Sequence, residues 1–139
     1  MAVFREADLN GLDFQILRSG SVSLYHSRDV LEADVSWFQA NRYKVFSFDC
    51  ASWDSMDMFH DSAASALGFP EYYGRNLDAF NDCLSDLEIP DTGGIVLVFL
   101  RYDAFSRRFP RPAQDILDII ADKARYHLLF GRRMLALVQ

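Results

Sequence analysis

Apolar and polar positions along the chain fall into two repeats, one suited to strands and one to helices. Tyr43 to Asp49 alternates and is rich in aromatic and branched residues, which predicts a half-buried strand. Ile95 to Leu100 is a continuous apolar run after Asp91-Thr-Gly-Gly94, short enough for a strand buried on both faces, and Met134 to Val138 is a second such run. Helical spacing appears between them. Ser27 can cap a helix over Arg28 to Asn41, with Asp29 in its first turn and Val30, Leu31, Val35 and Phe38 on one side. Ser52 to Leu67 carries Met56, Phe59, Ala63 and Leu67 at three-to-four spacing and ends at Gly68 and Pro70, a C-cap followed by a breaker. Asn76 suits an N-cap, and the stripe Leu77, Phe80, Leu84 and Leu87 follows. Pro112 can open a helix running to about Arg125 with Ile116, Ile120 and Ala124 inward, so the last two strands are joined by a right-handed parallel crossover. Near the N-terminus, Phe14 to Leu17 and Val22 to Tyr25 flank Arg18-Ser-Gly-Ser21, which predicts a small hairpin.

The chain has 139 residues, 50% hydrophobic and 24% charged, the balance of one ordinary globular domain. Its longest apolar run is strand-sized, which excludes a membrane-spanning helix. Arg5, Glu6 and Asp8 stand where a secretory signal needs its apolar core, so the cytoplasm is the expected location. Cys50 and Cys83 make no disulfide framework, and His26, His60 and His127 lack metal-ligand spacing. Neither a metal nor a cofactor is expected. A net charge of −6 argues against direct nucleic-acid binding and for a basic protein partner.

That charge is unevenly placed. Asp78, Asp82, Asp86, Glu88 and Asp91 lie in a stretch, from Asn76 to Asp91, without lysine or arginine, whereas Arg101 to Arg133 is dominated by arginine. Asp78, Asp82 and Asp86 are spaced four and four, so at roughly 100° per residue they form one band opposite the apolar stripe. Like charges at this spacing repel, so the helix is suboptimal for stability alone. Such a row can be simply a solvated face. It can also present negative charges about 6 Å apart, comparable with phosphates along a nucleic-acid strand. Upstream, Pro70-Glu-Tyr-Tyr-Gly74 forms a turn that places at least one tyrosine ring beside the row, although either ring could pack beneath the loop.

The segment FPEYYGRNLDAFNDCL, Phe69 to Leu84, closely resembles the signature of the barstar family, small intracellular inhibitors of barnase-type ribonucleases. The strand, helix and strand pattern extends the resemblance over 43–139. It implies an α/β fold with a three-stranded parallel sheet packed with helices; residues 1–42 add an N-terminal hairpin and helix packed on the same domain. It also implies a non-enzymatic antidote or immunity function, in which the helix and preceding loop plug the active site of a basic ribonuclease or other nuclease toxin. Carried over by position, Tyr72, Asn76, Asp78 and Asp82 fall on the family's contact positions, Asp82 at the central charge, and a more distant alignment adds Asp122. Asp86 extends the acidic band. Asn81 stands where the best-known member has tryptophan, and Arg75 adds a positive charge beside the cap; both point to a target different from barnase.

Other readings of the same residues are weaker. Asp78 and Asp82 with a tyrosine could form an acid and base pair, but no basic residue, phosphate cradle or enclosed pocket is evident in that segment. The arginines and aromatics of Arg101 to Arg111 could form a nucleic-acid patch, yet Tyr102, Phe105 and Phe109 more simply pin a loop to the core. The main alternative is a non-inhibitory protein-interaction module on the same fold. The free protein is expected to be a monomer.

Overall fold

The computed structural model describes residues 4–139. Its elements in chain order are α1 (Leu12–Arg18), β1 (Val22–Leu24), α2 (Arg28–Ala40), β2 (Tyr43–Asp49), α3 (Met56–Leu67), α4 (Leu77–Ser85), β3 (Gly94–Leu100), α5 (Tyr102–Arg108), α6 (Pro110–Leu128) and β4 (Met134–Val138). The strands form one parallel sheet in the order β1-β4-β3-β2. The two central strands are buried along nearly their whole length, as their unbroken apolar runs require.

Alternation along the strands divides the core in two. Ile95, Leu97 and Phe99 join Met134 and Ala136 on one face, packed with Phe59, Phe80, Phe105, Ile116 and Ile120 from α3, α4, α5 and α6. Val96, Val98, Leu135 and Leu137 face the other way, against Ile16 and Leu17 of α1 and Leu31 and Phe38 of α2. The result is three layers, with the sheet between helices. The strands start close together: a Cβ on Gly93 would sit 2.2 Å from the Arg42 carbonyl oxygen, and one on Gly94 2.2 Å from that of Arg133.

The N-terminus departs from the sequence reading. No hairpin forms there; Phe14 to Leu17 belongs to α1, and Val22–Leu24 pairs in parallel with β4, so the sheet has four strands instead of three. Gly20 (φ 115°) and Ser21 (φ 71°) turn the chain between them. Burial decides the phase, because Asp13 is enclosed, accepting from the Tyr43 hydroxyl at 2.6 Å and from Arg133 at 3.0 Å, with Ile16 and Leu17 buried one turn on. The first three residues of the expected extension lie outside the described residues.

Other differences are smaller. The helix expected from Ser52 begins at Met56, where Ser55 accepts from the Met58 amide, because Cys50–Ser52 is a separate one-turn helix. Gly68 closes α3 in the left-handed region (φ 68°). The segment after β3 is a helix, α5, where a loop was expected, and α6 starts at Pro110. Among the described residues no helix is long and apolar enough to cross a membrane.

Candidate functional site

Two capping interactions set the start of α4. Asn76 accepts from the Ala79 amide at 2.8 Å, and its own amide donates to the Gly74 carbonyl at 3.3 Å. The Asn76 side chain therefore ties the loop to the helix; its place in the candidate contact surface is that of a positioning group. Phe80 and Leu84 are fully buried beneath the helix, while Leu77 and Leu87 are partly covered. His127 of α6 donates from Nε2 to the Leu84 carbonyl at 2.7 Å, locking the C-terminal end of α4 against α6. Burial depresses the basicity of His127, with the Lys123 and Arg132 charges acting in the same direction. The hydrogen bond to the Leu84 carbonyl opposes this shift, because a charged imidazole donates it more strongly, but burial prevails.

The inward stripe fixes what points outward. Asp78, Asp82 and Asp86 are all exposed, and among the described residues none makes an ion pair with any lysine, arginine or histidine. Asp78 lies in the first turn, where the helix dipole favours it. Asp86 is the residue capping the C-terminal end of α4, just beyond the last helical residue. Asn81 is half-buried, and its carbonyl accepts from Ser85. Burial, reinforced by Asp86 and Asp82, pushes the Cys83 thiol up, so it is not primed as a nucleophile.

The tyrosine pair splits. Tyr72 is 87% exposed, whereas Tyr73 is buried, with its hydroxyl 2.5 Å from Nδ1 of His60 and its ring 4.9 Å from that of Phe69. Burial of His60, helped by the nearby Arg75 charge, lowers its basicity. Tyr73 thus anchors the loop and Tyr72 is displayed. Arg75, in the left-handed region (φ 54°), turns to α3 and meets Asp61 at 3.0 Å and Asp57 at 3.4 Å. Its charge is thus paired within the chain, with two carboxylates of α3.

Asp122 is exposed on α6, the helix packed beside α4, with the Lys123 ammonium 3.9 Å away. The arginine-rich segment is mostly spent on internal contacts. Arg101 pairs with Asp49, Arg107 with Asp103 and Arg108 with Asp54, while Tyr102 and Phe105 are buried. This disfavours a nucleic-acid patch.

Sequence reasoning missed a groove of about 1080 Å³ beside the acidic row. Asp82, Asp86 and Glu88 line one wall, and Phe46, Leu67 and Leu87 contribute apolar surface. These groups come from β2, α3, α4 and the segment after it, so no local period could show that they meet. Among the described residues, no group of three His, Cys, Asp or Glu side chains is arranged to hold a metal ion.

The family model described as Barstar (barnase inhibitor) matches residues 43–139. The chain is also 32% identical over 75 residues to the "Putative ribonuclease inhibitor YrdF" of Bacillus subtilis (strain 168), an alignment covering 53% of this chain and 78% of that protein.

Proposed function

Starting from the fact that the chain belongs to the barstar family, we propose that it inhibits a ribonuclease by laying α4 and the Pro70–Gly74 loop across the enzyme's cationic active site. Asp82 is the central substitute for an RNA phosphate, Asp78 its neighbour, and Tyr72 supplies apolar contact at the edge. Asp86 prolongs the charged band, while Asn81 and Asp122 lie at its periphery. The observation that carries this reading is the row of exposed carboxylates on α4, which has no cationic partner among the described residues and stands beside a displayed tyrosine. A helix optimised only for folding would intersperse lysine or arginine along such a row.

The mechanism is occlusion, without catalysis. Long-range attraction between the acidic face and a basic enzyme accelerates encounter and makes association salt-sensitive. Once water is excluded, close carboxylate–guanidinium pairs slow dissociation. In this reading the inhibitor acts as a cytoplasmic monomer, an antidote to a toxin-type ribonuclease, and Asn81 in place of a large aromatic shifts its choice of target away from barnase.

The test is inhibition of barnase and related basic ribonucleases by the full chain and by Asp82→Ala. With the enzyme it inhibits, the substitution weakens binding by more than about 2 kcal/mol, the hot-spot range, without loss of folding stability. Equal inhibition by parent and variant would overturn the role of Asp82. Failure to inhibit any of these ribonucleases would favour a non-inhibitory interaction module.

A further inference from the structure

The groove beside α4 has the chemistry of a receptor for a cationic side chain. Its volume of about 1080 Å³ is lined by three carboxylates, Asp82, Asp86 and Glu88, and by the C-terminal end of α3. The apolar surface between them includes Phe46, Leu67 and Leu87, each only partly covered. Lys44, the cation lining the groove, lies 5.2 Å from the centre of the Phe46 ring and forms no salt bridge with these acids. Three carboxylates against one ammonium leave the wall with a negative surplus.

The groove also runs beside a free sheet edge. The strand order ends at β2, so among the described residues one side of that strand has no neighbour in the sheet. A second hollow of about 280 Å³ continues along the same edge, between Ser47 and Asp49 on the strand and Ser62, Ser65 and Ala66 on α3. Small side chains on α3 leave a trench next to the strand. An exposed edge of this kind can add an extended segment through backbone hydrogen bonds, with side chains entering the adjoining pocket.

We infer that this groove receives an extended, arginine-bearing segment of a basic protein partner. The segment follows the edge of β2, the alkyl stem of its arginine lies on Leu67 and Leu87, and its guanidinium meets Asp86 and Glu88. Under the inhibitor reading, on which the identity of the partner rests, the segment belongs to the ribonuclease. The groove then supplies an anchor beside the phosphate-mimicking row of α4, the helix that carries Asn81 in place of a large aromatic.

The test uses the full chain, labelled with 15N, and a blocked hexapeptide alternating valine and arginine. Saturable shifts are expected at the amides of Lys44 to Ser47 and of Leu87 and Glu88. Ala66→Trp, which fills the trench from an exposed helical position, and the double variant Asp86→Asn/Glu88→Gln each weaken the peptide by about tenfold or more, as loss of charge-assisted contacts or of access requires. The same peptide with glutamine for arginine does not saturate. Absence of saturable binding, equal affinity for the glutamine peptide, or shifts confined to the outer face of α4 would overturn the inference. The ribonuclease separates the two readings. If Asp82→Ala abolishes inhibition while Ala66→Trp and Glu88→Gln leave it untouched, the groove assignment falls and the inhibitor reading stands. If the peptide seats as expected and no ribonuclease is inhibited, the inhibitor reading falls and the groove assignment stands.

Discussion

The two charged regions of this molecule put their charge to opposite uses. In the arginine-rich segment after β3, Arg101, Arg107, Arg108 and Arg111 each meet a carboxylate of the same chain. On α4, Asp78, Asp82 and Asp86 meet no cation among the described residues, and the adjacent Arg75 is taken up by Asp57 and Asp61. Sequence alone shows both regions as runs of like charge. The fold shows which charges are paired within the chain and which are left without a cation beside them, and the second kind is the one available to a partner.

The sharpest way to break this comparison is to separate the inner and outer faces of α4. Leu84→Ala removes a side chain with no exposure from the core under the helix and should cost about 2–5 kcal/mol of stability, measured by urea unfolding. Asp82→Ala on the opposite face should move the same midpoint by no more than about 0.5 kcal/mol. A small loss at Leu84, or a large one at Asp82, would mean that α4 is rotated from the phase described.

Within the arginine segment the contacts are unequal. Arg108 donates to the carbonyls of Trp53 (2.7 Å) and Ala51 (2.8 Å) and to Asp54 (2.6 Å), tying α5 to the turn after β2. Arg108→Ala should therefore cost about 1–3 kcal/mol, through carbonyls left without a donor. Arg107 pairs with Asp103 one turn away with both side chains mostly exposed, and Arg107→Ala should change stability by less than about 0.5 kcal/mol. Thermal melts of the two variants side by side check the ranking.

Much of the architecture is legible from local pattern. Strands β2, β3 and β4, the Asn76 cap, the Phe80 and Leu84 stripe and the outward acidic row follow from period and capping chemistry that act within a few residues. What was missed depends on distant partners. Phe14 to Leu17 is short enough to read as a strand beside Gly20, and its helical state is tied to Asp13 bonding Tyr43 and Arg133, residues 30 and 120 positions away. Tyr102, Phe105 and Phe109 do repeat at helical spacing, but α5 is only seven residues long between Arg101 at φ 54° and Pro110, too brief for a period to declare itself. The partners of Arg75 and the meeting of Phe46, Leu67 and Leu87 in one groove are tertiary facts with no local signature.

The support beneath the acidic face should respond to pH. His127 is buried and donates to the Leu84 carbonyl, and burial lowers its pKa below the ordinary value of about 6.5; His60, buried against Tyr73, is shifted the same way. Because each group binds its proton more weakly folded than unfolded, its stabilising contribution is complete above about pH 6.5 and is lost progressively as the pH falls below it. The urea midpoint should therefore fall between pH 7.5 and 5.5, and His127→Gln should flatten that fall. An unchanged slope in the variant would show that His127 does not titrate with unfolding.

The smallest expected effect tests whether the acidic row is kept at a cost to the fold. Asp82 stands four residues from both Asp78 and Asp86, so Asp82→Asn relieves two like-charge pairs and should raise stability by about 0.2–0.5 kcal/mol at low salt. Asp78 is the wrong place for this test, because its charge is favoured by the helix N-terminus, whereas Asp82 lies in the C-terminal half of α4, where a negative charge gains nothing from the dipole. At 1 M salt the Debye length is about 3 Å and the gain should vanish. The same substitution removes the central carboxylate of the proposed phosphate mimic, so inhibition should weaken as the fold strengthens, the opposition expected where a surface is held in a suboptimal state for a partner. If Asp82→Asn left stability unchanged at low salt, the carboxylates would not be interacting and the row would be an ordinary solvated face.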